Sequence, residues 1–152
     1  MTRSDARELA VHLIYAHEFS GEDPQDLVAA RLAKDYYTKL SDEVQLYAEP
    51  PSSAQRAYID RVVSGVTNRV AELDETIRNF AIDWDVSRIS KLTRSILQLA
   101  IFEIQFMDDV PTGVAISEAV RMAKLYDGDD TGAFVNGILG SYARSLCTEV
   151  QQ

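Results

Sequence analysis

The stretch from Asp109 to Arg144 constrains the fold most, because apolar residues recur through it at helical spacing on two successive segments. Val110-Pro111 forces an extended entry, since the proline ring clashes with a helical conformation in the preceding residue. Thr112 is then placed to cap a helix running to about Tyr126. Along it Ala115, Ala119, Met122, Ala123 and Tyr126 fall at i, i+4, i+7, i+8 and i+11, a single buried stripe. Glu118, Arg121 and Lys124 take the wet side. Asp127-Gly128 ends the helix, because glycine enters the left-handed region without steric cost. Asp129 or Asp130 can cap a second helix, on which Phe134, Val135, Ile138, Leu139, Tyr142 and Leu146 form a wide apolar face. Asn136-Gly137 has the composition of a hairpin turn, but the helical period runs unbroken through it. A glycine inside a helix costs about 1 kcal/mol relative to alanine. The expected compensation is that Gly137 and Gly140 let a neighbouring helix approach closely, so that Gly137→Leu would overpack the contact.

The rest of the chain reads as helices too. Residues 4–19 make an amphipathic helix with Leu9, Val11, Leu13, Ile14 and Phe19 turned inward. Arg3 and Arg7 are four apart and share a face near its positive end. Asp23-Pro24 pairs an N-cap with a proline at the first helical position, opening a second helix to about Leu40. Leu27, Val28, Leu32, Tyr36 and Tyr37 supply its inner side. Residues 41–53 read as a loop, with a turn of helix around Val44 to Tyr47. Ser52 and Gln55 have capping-box spacing and open a long third helix. Its stripe is Ile59, Val62, Val66, Val70, Leu73 and Ile77. Phe80 to Asp85 connects two halves, about 1–80 and 81–147, with Trp84 wedged between them. Ser87 is expected to cap a helix from Arg88 to about Met107, apolar almost all round from Ile96 onward.

No motif for chemistry stands out. Ser/His/Asp arrangements, metal-ligand clusters and glycine-rich phosphate loops are missing from the sequence. His12 and His17 lie five apart, about 140° around a helix, too far to share a metal. Asp127-Gly128-Asp129-Asp130 resembles half a calcium loop but lacks the later ligands and the closing glutamate. A single cysteine, Cys147, excludes an internal disulfide and suits a reducing compartment. The segment MTRSDARELA has no apolar signal-peptide core. The run Ile96 to Met107 is broken by Gln98, Glu103 and Gln105 and is too short to span a bilayer. These features lead one to expect a soluble, cytoplasmic protein without cofactor. The net charge of −9 weighs against nucleic acid, whose binding depends on Lys and Arg neutralising phosphates. Only a small local basic patch would be compatible with it.

Three blocks in order carry a resemblance. They are Ala6 to Ala10 (ARELA), Trp84 to Ile104 (WDVSRISKLTRSILQLAIFEI), and the pair VPTGVAISEAVRMAK and FVNGILGSYAR. Together they resemble the NusB family of transcription antitermination factors, over most of the chain outside residues 35–55. The resemblance implies an all-α domain of about seven helices in two packed helical subdomains. It implies binding to the boxA element of ribosomal RNA transcripts, jointly with the ribosomal protein NusE, and assembly of an antitermination complex on RNA polymerase. By the same resemblance the RNA contacts fall on Arg3, Arg7, Asp130 and Phe134, and the NusE contacts on Tyr15, Thr93 and Arg94. Ser4 and Asp5 stand where the family can carry further arginines. The acidic balance leaves a second reading, a helical protein-interaction module with little RNA affinity of its own. A third is the NusB-like accessory domain found in some ribosomal RNA cytosine methyltransferases.

Overall fold

The computed structural model describes residues 1–33, 37, 46, 49–81 and 89–151, the last four in backbone only. All of the regular structure among the described residues is helical. The chain divides into two compact units, Met1–Asn68 and Arg69–Gln152. Apart from Leu46, the expectations for Tyr36, Val44 to Tyr47, Trp84, Ser87 and Arg88 lie outside the described residues.

The first unit holds α1 (Arg3–Ser20), α2 (Pro24–Arg31) and α3 (Ser53–Thr67). Thr2 and Asp5 close a capping box at the start of α1: Asp5 N donates to Thr2 Oγ1 at 3.0 Å and Thr2 N to Asp5 Oδ2 at 2.9 Å. The helix ends at Gly21, which is left-handed at φ 66°. Asp23 caps α2 as expected, accepting from Gln25 N at 2.9 Å with Pro24 behind it. This helix stops at Arg31, short of the expected Leu40. The Ser52–Gln55 capping box of α3 is present in both directions. Both α1 and α2 pack on α3, and Leu9, Leu13, Leu27, Val28, Ile59, Val62 and Val66 are buried there. Each such aliphatic side chain contributes about 1.5–3 kcal/mol on leaving water. Phe19 departs from the expectation, being 59% exposed in the last turn of α1.

The long third helix expected from the stripe is two helices. Thr67 Oγ1 turns back onto Val63 O at 2.7 Å and Ser64 O at 3.3 Å, a side-chain bond that competes with the backbone ladder. Asn68 then closes α3, and Arg69 leaves helical geometry at φ −128°, ψ 24°.

The second unit contains α4 (Val70–Phe80), α5 (Lys91–Phe106), α6 (Thr112–Asp127) and α7 (Asp129–Gln151). Its first helix lies before the expected boundary near residue 80, because Leu73 and Ile77 are buried where α4 packs on α5 and α7. Gln98 Nε2 donates to Asp74 Oδ1 at 2.8 Å, tying α5 to α4. The observed cap of α5 is Ser90, whose hydroxyl accepts from Thr93 N at 3.0 Å. Ile96, Leu97, Leu99 and Ile101 are fully buried, so this helix is the centre of the unit.

Pro111, rather than Thr112, holds the cap position of α6, and its carbonyl accepts from Val114 N and Ala115 N. The stripe Ala115, Ala119, Met122 and Ala123 is buried as read, but Tyr126 is 38% exposed. Periodicity sets a residue's direction without ensuring that anything covers it. Gly128 alone joins α6 to α7, at φ 95°. The helical reading of Asn136-Gly137 holds. Close packing is not what the two glycines serve: a Cβ on Gly137 would meet nothing within 4 Å, and one on Gly140 only the Arg144 side chain at 3.4 Å. Gly132 is the tight position, where a Cβ would lie 2.5 Å from Lys124 Cγ.

Candidate nucleic-acid interface

In the first unit the two arginines occupy the first two turns of α1, and α3 brings Tyr58 beneath them. The Arg3 guanidinium carbon lies 3.8 Å from the Tyr58 ring centroid and that of Arg7 5.8 Å. Their exposure differs sharply. Arg3 is exposed, whereas Arg7 is 3% exposed. A buried guanidinium cannot meet a phosphate without rearrangement, so Arg3 is the accessible cation of the pair. Arg7 belongs to the packing under it. Farther along α1, Tyr15 is exposed and meets Phe19 edge-on, with ring centroids 5.0 Å apart. The same helix holds His12, whose pKa burial pushes below the ordinary 6.5, with the Glu8 carboxylate partly opposing the shift.

In the second unit, Asp130 and Phe134 are brought together on one side of α7. They line a shallow groove of about 540 Å³ with Phe80, Ala133, Gly137, Ile138 and Ser141. Asp130 is exposed at its rim. Phe134 is 9% exposed, so it is part of the groove wall rather than a free stacking surface. Phe80, half-buried, is held edge-on by Tyr142 at 5.6 Å between centroids. The absence of a Cβ at Gly137 leaves the floor open.

Thr93 does not fit the partner-contact role. It is 1% exposed, and its hydroxyl bonds to Ser90 at 3.0 Å and to the Asp127 carboxylate. Ser90 also donates to Asp127 at 2.8 Å. The trio fastens the start of α5 to the end of α6 and leaves nothing of Thr93 to present. Arg94, one residue on, is half-buried and Lys91 exposed, so among the described residues these two are the accessible cations at this helix start. Tyr58 and Phe80 join these sites without any mark in the sequence. Tyr58 precedes Ile59 at the edge of a core stripe, and Phe80 closes a helix; neither position carries a motif. No group of three or more His, Cys, Asp or Glu able to hold a metal occurs among the described residues, and no helix there is long and apolar enough to cross a membrane.

In class this is an all-helical protein whose candidate residues line surfaces: a cation held on an aromatic ring, and an aromatic-walled groove. The sequence model of the NusB family matches residues 4–144. The transcription antitermination protein NusB of Agathobacter rectalis is 38% identical over 143 residues, spanning 94% of this chain and 100% of that one. Its counterpart in Acetivibrio thermocellus is 39% identical over 144 residues, 95% of this chain and 90% of that one. Among solved structures, NusB of T. maritima superposes with a TM-score of 0.76 at 27% identity, covering 95% of this chain and 92% of that one. A complex of antitermination factors NusB and NusE with double-stranded RNA matches with a TM-score of 0.72 over 94% of this chain and 96% of that one. At 22% identity the latter likeness bears on the fold. The chain belongs to the NusB family.

Proposed function

We propose that this chain is an RNA-binding transcription antitermination factor acting in the cytoplasm. It binds boxA-type RNA of ribosomal RNA transcripts together with NusE, and joins an antitermination complex on RNA polymerase. It works by assembly, not by catalysis. The observation that carries this reading is family membership across residues 4–144, with antitermination proteins as relatives over nearly the whole chain. In this reading Arg3 meets a phosphate, and the groove beside Phe134 and Phe80 takes the face or edge of an unstacked base. Asp130 accepts a hydrogen bond from that base, and Tyr15 and Arg94 lie toward NusE.

At a net charge of −9, the protein repels RNA at long range, so binding by the chain alone is weak. A basic partner adds cations beside the RNA. Coupling of about 1–3 kcal/mol corresponds to roughly 5- to 150-fold tighter RNA binding with NusE present, and linkage requires RNA to tighten NusE by the same factor. The test is a pair of titrations, RNA with and without saturating NusE and the converse. Equal RNA affinities in the two states would support the protein-interaction module instead.

A further inference from the structure

Arg3 sits in the first turn of α1, where the partial positive charge of the helix start makes a second cation unfavourable. A long, exposed side chain at such a place would ordinarily sweep a wide volume. Here it is held. The capping box fixes the helix start at Thr2 and Asp5. Gln55, in the first turn of α3, donates its amide to Met1 O at 2.5 Å. One turn further along α3, the Tyr58 ring lies 3.8 Å beneath the Arg3 guanidinium. Tyr58 is itself 4% exposed, and Ile59 beside it is fully buried, so the ring is anchored in the core of its unit.

The chemistry of that contact is specific. A guanidinium stacked on a ring spends its π face, while its N–H donors lie in the plane and radiate outward. At 3.8 Å from the centroid Arg3 is within reach of the ring face, which, unlike a carboxylate, attracts the cation without neutralising it. Arg7 is buried against the same ring, its guanidinium carbon 5.8 Å from the centroid.

We infer that Tyr58 is a positioning residue for RNA binding: its ring holds the Arg3 guanidinium edge-outward, ready to form a forked hydrogen bond with a backbone phosphate. The inference rests on the RNA-binding reading above and adds to it a residue that need never touch RNA. Preorganisation of this kind gives affinity by removing an ordering cost at the moment of binding. It offers one explanation of how a chain with few cations at its N-terminus could engage a phosphate at all.

The experiment measures boxA RNA affinity of the full chain, with NusE present, as a function of salt concentration. The variants are Arg3→Ala, Tyr58→Leu, Tyr58→Phe and the Arg3→Ala/Tyr58→Leu double. Arg3→Ala is expected to lower the log–log salt slope by about one. Tyr58→Leu should lower it equally and weaken binding about three- to tenfold, and the double variant should be no worse than either single. Tyr58→Phe keeps the ring and should restore wild-type affinity and slope. A purely structural role for Tyr58 would reduce the active fraction without moving the slope. Should Tyr58→Leu fail to fold, the NMR ring-current shift of the Arg3 side chain in the wild-type protein decides the placement. An Arg3 side chain without that shift, a Tyr58→Leu variant with the full slope, or additive losses in the double variant would each overturn the inference. Wild-type protein that binds no RNA even with NusE would overturn the proposed function, and with it this inference. RNA binding by wild type together with a full slope in Tyr58→Leu would overturn the inference alone.

Discussion

Replacing Gly137 by alanine separates the two reasons a glycine can stand inside a helix. Gly137 lies in the body of α7 with an ordinary helical backbone, since the positive-φ glycines are Gly21 and Gly128. A Cβ there meets no atom within 4 Å, so neither strain nor overpacking opposes the methyl group. What remains is the backbone entropy that glycine loses on folding. Gly137→Ala should therefore raise stability by about 1 kcal/mol. For a chain of this size that shifts the melting temperature by about 2–4 °C. Urea denaturation followed by circular dichroism reads it directly as a higher midpoint at unchanged slope. A variant less stable than the parent would refute the reasoning, because some neighbour would then have to lie within reach of residue 137. Gly137→Leu extends the test to function. Leucine also favours the helix, but its side chain projects into the groove beside Phe80 and Phe134. It should keep the fold and weaken RNA binding by roughly 5- to 150-fold if a base stacks there, the range of one base–aromatic stack. Undiminished binding would show that the groove stays empty in the complex.

Arg7→Ala should cost about 1–3 kcal/mol of stability through lost packing of its buried stem, and leave the salt slope of RNA binding unchanged; a slope lower by one would show that Arg7 does reach a phosphate. Asp127→Ala removes the acceptor shared by Ser90 and Thr93 and should destabilise the second unit by about 1–2 kcal/mol, seen as faster amide exchange at the start of α5. Burial holds His12 below its ordinary 6.5, so the unfolded chain takes up this proton more readily than the folded one. Its contribution to stability is complete above about pH 6.5 and is lost as the pH falls through the lower folded value. His12→Gln should flatten the stability curve in that window, and an unchanged curve would count against the shift.

The parts of the fold visible in the sequence are those set by short-range chemistry. Asp23-Pro24 and Ser52–Gln55 form their caps because donor and acceptor are two or three residues apart. The stripe Ala115, Ala119, Met122 and Ala123 is buried because its 3.6-residue period matches one helix face. The break after Thr67 was hidden, since the valine stripe continues across it at helical spacing and only the Thr67 hydroxyl marks it. Site residues fared according to the same division. Asp130 and Phe134 share a helix side because they are four apart, and the structure places both on one groove. Arg7 and Thr93 look like surface residues by type; what buries them is packing against other elements, which residue type does not encode. Tyr58 comes under Arg3 from a helix more than fifty residues away.

The joint between α6 and α7 is the single residue Gly128. Its brevity turns the two helices into a counting device. Each residue added there would rotate the start of α7 by about 100° about its own axis, carrying Val135, Ile138, Leu139 and Tyr142 out of the core and Asp130 away from the groove. Chain length at this point is therefore tied to which side chains the helix shows to solvent. Drift in this protein can change the identity of the residues around the groove far more freely than it can change their number.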